Sequence, residues 1–424
     1  MIKKQHILLL SILVLINCFV TFYTFNKIPQ NIAYDEILLG KLALSLGKQP
    51  YTLFTSFADG HATPYFYTML LSFKLFGVNN FALRLPAALS GFFGVLIFYG
   101  IAKIIFKDKR VFFLPISFIA SILFTCLRWR INFVRFSFEM SYLLLVELLS
   151  SYFLLRYFQK QKALFLILSG VFAGLAFHSY QPGRIFFLVP LIYLIMRKVD
   201  LKHMLSYLSS FLVVALPLVV FLMMNPGNDG RVNQLNYLQD FSLSIPQKAG
   251  YLSTNIVKTV SMFFYKGDAN GRHNFPYKSA INPLWGLLFI GGLVETIWNS
   301  RKENTYKLYF FIYFLIALIP TLLTLPYENP HMLRTYTVIP SVIIFMGDSF
   351  PNIQKYKFRK VLSVVLLFIS LVGCIYEFRT YFVYQARVMR NSFEVACPLE
   401  KVIYRNTKSL GDLPKECRIQ KNLF

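Results

Sequence analysis

The chain has 424 residues, 56% of them hydrophobic and 17% aromatic, more apolar surface than one soluble core of this size can hide. Its formal net charge of +25 would suit a nucleic-acid binder. The lysines and arginines, however, fall in short gaps between apolar runs, the pattern that orients membrane helices, so nucleic acid is set aside as a partner.

The apolar runs, extended by their flanks to about 20 residues, match the hydrocarbon thickness of a bilayer. The first follows Lys3 and Lys4 but leads into Phe22, Tyr23 and Phe25, an aromatic belt, with no small-residue cleavage pattern; it is kept as a membrane span. In chain order the pattern predicts helices near 6–25, 84–106, 111–127, 139–156, 163–178, 184–196, 204–224, 283–298, 307–325, 335–350 and 360–376, about eleven crossings of an all-α integral membrane bundle. With a cytoplasmic N-terminus, every inner gap is basic: Lys107, Lys109 and Arg110; Arg156, Lys160 and Lys162; Arg197, Lys198 and Lys202; Arg301, Lys302 and Lys307; Lys355, Lys357, Arg359 and Lys360. That agreement fixes the expected orientation in the cell (inner) membrane.

The outer gaps are longer and hold the polar residues without a topogenic role. The first, 26–83, contains a run from Pro64 to Phe76 that is too short to span and reads as an interfacial helix. The second, 225–282, is rich in Asn, Gly and Pro. The expected organisation is a transmembrane domain over 1–376 and a short extracytoplasmic tail over 377–424. Of the five cysteines, Cys18, Cys126 and Cys374 lie in apolar runs and read as small hydrophobes. Cys397 and Cys417 fall in the tail, where an oxidising compartment favours their pairing.

Chemistry is sought on the outer side. Asp35 and Glu36 follow the first span; a carboxylate there can act as general base, or the pair can simply mark a wet loop. Glu139 stands at the mouth of the fourth span behind Arg128, Arg130 and Arg135. Those arginines, with Arg184 and Arg334, break the positive-inside trend and need lipid headgroups or a bound anion, which suggests a phosphate site. The segment Gly267 to Asn274, with Asp268, Asn270, Arg272 and His273, is dense in turn formers and does not complete a calcium loop. His61, His178, His273 and His331 all fall outside, but none forms a close metal pair in the sequence, so no metal site is expected.

The ordered set of these features resembles the GT-C superfamily of polyprenyl-phosphate-sugar-dependent glycosyltransferases, specifically the protein O-mannosyltransferase-like (family 39) and aminoarabinose-transferase-like enzymes. The segments that carry it are Asp35-Glu36, His61 to Tyr67, Lys74 to Gly77, Phe81 to Leu89, Arg135 to Glu139, Tyr180 to Arg184, Gly267 to Asn274 and Arg334 to Tyr336. The resemblance implies a polytopic GT-C fold and inverting transfer of a hexosyl or pentosyl group from a polyprenyl phosphate. Asp35 would be the catalytic base, with Glu36 beside it and Glu139 as second acidic position. It implies that Arg84, Arg135, Arg184, Arg272 and Arg334 hold the donor phosphate, and that His61, Tyr180, Asp268, His273, Asn274 and Tyr336 lie on the substrate side. No cofactor is required: a good leaving group needs no general acid, although a divalent cation would be able to share the phosphate work. The expected partners are the donor, membrane lipid, and an acceptor glycan, lipid or protein. The competing readings are a lipid-linked glycan ligase or polymerase of the cell envelope, and a flippase. A flippase would need intramembrane polar residues along a path, whereas Glu147 and Glu295 are the exceptions to charges kept at the span rims.

Overall fold

The computed structural model describes residues 2–107, 109–225, 234–300, 306–350, 357–407 and 409–419. Of the basic gap residues, Arg301, Lys302 and Lys355 lie outside these. Among the described residues the regular structure is helical, apart from two two-stranded hairpins, β1 (Phe54–Thr55) with β2 (His61–Ala62) and β3 (Arg110–Val111) with β4 (Leu114–Pro115).

Each apolar run forms a helix. In chain order the first ten are α1 (Ile2–Phe22), α2 (Tyr34–Leu46), α3 (Pro64–Phe76), α4 (Asn80–Phe106), α5 (Ile116–Cys126), α6 (Arg128–Val134), α7 (Met140–Lys160), α8 (Ala163–Phe177), α9 (Leu188–Met196) and α10 (Leu201–Met224). They are followed by α11 (Ile245–Phe264), α12 (Pro283–Ser300), α13 (Tyr306–Leu322), α14 (Ile339–Asp348) and α15 (Arg359–Arg379). Among the described residues five helices are long and apolar enough to cross a membrane alone, and α5 with α6, bent by 58°, makes a sixth candidate. The other expected spans fall on apolar helices of 10–17 residues. The chain is a multi-pass membrane protein.

Helix α3 covers the run expected to lie in the interface. Three helices were not expected. Helices α2 and α6 are short, and α11 crosses the outer segment read as irregular. A capping box starts α11: the Ser244 backbone N–H donates to Gln247 Oε1 at 2.8 Å and the Gln247 N–H donates to Ser244 Oγ at 3.4 Å. Helix α15 also runs on past 376, through a π-helical turn at Thr380–Gln385 to Ser392.

One large apolar core joins the spans. Gly170 and Gly174 on α8 let α10 come close: a Cβ on Gly170 would stand 2.4 Å from the Tyr207 carbonyl oxygen, the small-xxx-small device of membrane helix pairs. A second apolar cluster packs α2 and α3 beneath the tail, including Ile37, Leu42, Phe66 and Met69 against Val395, Leu399 and Val402. The tail is closed by a Cys397–Cys417 disulfide and pairs with the chain before α2, since Ile32 and Val395 exchange backbone hydrogen bonds of 2.9 and 3.0 Å. The loops that follow α1, α5, α8, α10 and α13, with the tail, thus gather at one end of the bundle.

Candidate active site

At that end lies a cavity of about 450 Å³. Of the residues singled out in sequence, Asp35, His61, Glu139, Tyr180, Arg184, Arg272, His273 and Arg334 line it. Glu36, Arg84, Arg135, Asp268, Asn274 and Tyr336 do not.

The split begins at the adjacent acids. Successive helical residues point about 100° apart, so only one of the pair can face the cavity, and Glu36 is the one turned inward. Its fully buried carboxylate accepts from the Ala33 N–H (3.1 Å), the Ser137 N–H (3.0 Å), and both Nε (2.9 Å) and Nη2 (2.7 Å) of Arg84. Arg84 also donates to the Pro29 and Asn31 carbonyls at 2.7 Å each. Arg135, equally buried, donates to the Thr21 carbonyl (2.7 Å) and twice to that of Ile28 (2.9 and 3.1 Å), with its guanidinium over the Phe25 and Phe382 rings. Expected as phosphate ligands, these two arginines instead have all three side-chain nitrogens engaged with the end of α1, the chain between α1 and α2, and Glu36 beside Asp35. The forked pairing with Glu36 suits the planar guanidinium.

Asp35 is left about half exposed on the cavity, where Arg272 Nη1 meets its Oδ2 at 2.7 Å. Glu394 from the tail stands 3.9 Å from the same nitrogen and accepts the Tyr34 N–H at 3.2 Å, capping the first turn of α2. Sequence reasoning missed Glu394, and its 360-residue separation from Tyr34 left no local signal to find it.

Glu139, at the N-terminal end of α7, is buried. Its Oε1 lies 2.5 Å from His61 Nδ1, while its Oε2 has no hydrogen-bond partner among the described residues. The other His61 nitrogen meets the Ala58 carbonyl at 2.9 Å. Tyr180 packs edge-on against Phe138 and leads into the turn Gln181–Ile185 that carries Arg184. Gly183 is required there, because a Cβ would stand 2.3 Å from the Ala176 carbonyl oxygen. Arg334 donates Nη2 to Glu328 at 2.9 Å; its buried Nη1 has no partner among the described residues. An unspent guanidinium nitrogen and an unspent carboxylate oxygen on one cavity are costly unless a ligand meets them. Glu328 and His331 also line it; sequence reasoning named neither as a site residue, although both fall in the segment that carries Arg334.

The turn-rich segment 267–274 is mostly architecture. Asp268 Oδ1 accepts the Asn270 N–H (2.8 Å), and its Oδ2 accepts the Met332 N–H (2.9 Å) and faces His273 Nδ1 (3.0 Å). Burial alone would raise the Asp268 carboxyl, but the neighbouring His273 and His331, with these hydrogen bonds, bring it down to about 2. Asn274 is fully buried and donates to the Asp268 and Lys278 carbonyls at 2.9 and 2.7 Å. Tyr336 is buried edge-on against Phe133. The two histidines apparently remote in sequence do come together: the His273 and His331 rings are 4.8 Å apart.

Residues 61–223 match the family model of dolichyl-phosphate-mannose-protein mannosyltransferases. The fold is shared with ArnT from Cupriavidus metallidurans bound to undecaprenyl phosphate (TM-score 0.56, 13% identity, 92% of this chain and 76% of that one). The chain thus has the fold of ArnT, and residues 61–223 resemble the mannosyltransferase family. The oligosaccharyltransferase of Archaeoglobus fulgidus has a similar fold too, in its apo form (TM-score 0.58, 12% identity, 92% and 56%) and tethered to an acceptor peptide (TM-score 0.55, 13%, 92% and 55%). The chain therefore spans little more than half the length of the archaeal enzyme. None of the curated proteins matches it in sequence.

Proposed function

We propose that this chain is a membrane glycosyltransferase that moves a sugar, hexosyl or pentosyl, from a polyprenyl-phosphate donor to an acceptor hydroxyl, with inversion, on the outer face of the membrane. The observation that carries the proposal is the meeting of Asp35, Glu139, Arg184, Arg272 and Arg334 on one cavity. The ArnT structure bound to undecaprenyl phosphate supports a lipid phosphate as the donor's anchor.

In the proposed reaction the acceptor oxygen forms a bond to the anomeric carbon as the bond from that carbon to the phosphate oxygen breaks. The phosphate leaves with the electron pair, and the hydroxyl proton passes to Asp35. Arg184, Arg272 and Arg334 hold the departing phosphate, whose charge is the quantity to be stabilised. Arg272 has a second part: in the present arrangement it occupies the Asp35 oxygen that takes the proton, and an arriving phosphate draws it away, so base and phosphate site become ready together. Glu139 Oε2 holds the acceptor hydroxyl. Outward placement is supported by the disulfide in the tail, which belongs to an oxidising compartment, and by the basic gaps at the opposite end. A reporter that matures only outside the cytoplasm, fused after Phe424, is then active.

Transfer from undecaprenyl-phosphate hexoses and pentoses in reconstituted vesicles tests the base. Asp35→Asn keeps size and removes the proton acceptor; turnover falls by about 100-fold to 10,000-fold with folding and donor binding kept. Near wild-type turnover in Asp35→Asn alongside its loss in Glu139→Gln makes Glu139 the base. Turnover in both removes the reaction from this cavity.

A further inference from the structure

We propose that the end of the bundle opposite the candidate active site carries a binding site for the phosphate headgroup of an anionic membrane phospholipid. A second cavity, of about 700 Å³, lies there between the β3–β4 hairpin and the first turns of α15. Helix α4 separates the two ends: it carries Arg84 near its start and finishes at Phe106, directly before Lys107, and its 27 residues span about 40 Å. Lys107, Lys109 and Arg110 line one side of the cavity and Arg359, Lys360 and Ser363 the other, and no acidic residue among those described lines it. Cations remain in large excess even with Asp108, which falls between Lys107 and Lys109 in sequence, counted in. Asp348, the acid within electrostatic reach of Lys109, is fully buried and paired with Lys307 Nζ at 2.9 Å. Orienting a membrane helix asks only that its own gap be basic. It does not ask that two gaps distant in sequence converge on one hollow, where like charges repel unless an anion joins them.

The hairpin favours a lipid over a soluble anion. Val111 pairs with Leu114, so Phe112 and Phe113 form a two-residue turn, a place that ordinarily takes Asn-Gly or its like. Phe112 adopts a φ of 53°, a left-handed conformation that is costly for a bulky side chain, and the two phenylalanines are 50% and 68% exposed. Gln5 on α1 steadies the turn, donating Nε2 to the Phe113 carbonyl at 3.3 Å and accepting from Arg110 Nη1 at 3.2 Å. Val361 and Val364 on α15 are exposed as well, and Val111, Phe112 and Phe350 add apolar lining to the cavity itself. Aromatic rings settle at the membrane–water interface, and basic pockets among membrane helices take phospholipid headgroups. Apolar side chains beside a basic hollow therefore match an acyl chain leaving its phosphate. The open N–H groups in the first turn of α15 add a favourable dipole to the same phosphate.

The test is binding without donor or acceptor, so it stands or falls apart from the transfer reaction. Purified, delipidated full chain in detergent is titrated with phosphatidylglycerol, phosphatidylcholine and inorganic phosphate, and bound lipid is counted by native mass spectrometry. Phosphatidylglycerol binds saturably and raises the melting temperature; the other two do neither at the same concentrations. Arg359→Gln with Lys360→Gln weakens phosphatidylglycerol roughly 30-fold, since each cation near an anionic lipid is worth about a factor of five. Lys107→Gln with Lys109→Gln gives the same loss from the other wall, and the melting temperature without added lipid checks that each pair folds. Arg156→Gln with Lys160→Gln, an equal loss of charge in another basic gap, leaves binding unchanged. Equal weakening by that last pair means a diffuse attraction, equal binding of phosphatidylcholine means an apolar groove alone, and displacement of the lipid by equimolar inorganic phosphate means a soluble anion. Each of these overturns the proposal.

Discussion

Arg84 and Arg135 on one side, Arg272 and Arg334 on the other, are the same side chain put to opposite uses within one end of the bundle. Arg84 and Arg135 have all three side-chain nitrogens engaged, mostly with the backbone carbonyls of Thr21, Ile28, Pro29 and Asn31. They pin the irregular chain between α1 and α2, and so fix where Asp35 stands. Arg272 and Arg334 each pair with a carboxylate across the cavity, and Arg334 keeps a nitrogen in hand. A buried guanidinium with all three nitrogens engaged by the protein is scaffold, and one with donors facing a cavity is available to an anion.

The sharpest break of that comparison is in stability. Removing one partner of a buried ion pair leaves the other charge uncompensated, at a cost of about 3–5 kcal/mol, so Arg84→Met strands Glu36 and lowers the unfolding midpoint steeply. Glu36→Met in the same chain restores part of the loss, because replacing both partners with apolar groups removes the stranded charge. Arg334→Gln leaves behind Glu328, about a quarter exposed, and costs under about 1 kcal/mol. Thermal unfolding in detergent checks all three, and equal midpoints for Arg84→Met and wild type refute the scaffold assignment.

Donor affinity sharpens the same contrast from the other side. A hydrogen bond to a charged group is worth about 1.5–3 kcal/mol, so Arg272→Gln and Arg334→Gln each weaken binding of an undecaprenyl-phosphate sugar roughly 10-fold to 150-fold. Folded Arg135→Gln, where it can be recovered, binds as wild type. If it alone loses the donor, the phosphate sits among the buried arginines instead.

Much of the fold was legible because apolar periodicity and basic gaps are local signals, and each expected span contains a helix. Helix α11 was missed, because its capping box at Ser244 lies in a segment whose Asn, Gly and Pro content suggested a loop. The site was legible only to the level of a list. Arginines outside the positive-inside pattern announce that something unusual holds them, yet the carbonyls that satisfy Arg84 lie 53 and 55 residues away. Which of Asp35 and Glu36 faces the cavity depends on the register of α2. That register is set by Glu36 accepting the Ala33 N–H, by Glu394 from the distant tail, and by the pull of Arg84. Three-dimensional partners decide the role, and a linear reading sees only the candidates.

Asp268 lies between the two groups, beside the cavity-lining His273 but with both oxygens committed, and its titration gives a pH-dependent effect. Its carboxyl is held at about 2 in the folded protein against an ordinary value of 3.8. The folded value is the lower one, so the unfolded chain takes up the proton first as pH falls. The stabilisation is complete above about 3.8 and is lost as pH drops through about 2. At about 1.4 kcal/mol per pH unit the window is worth roughly 2–3 kcal/mol. Unfolding midpoints taken from pH 5 to 2 should fall more steeply for wild type than for Asp268→Asn, which has no proton to take up. Parallel curves would mean that the Asp268 contacts carry no charge, and would move this residue into the company of the neutral turn formers around it.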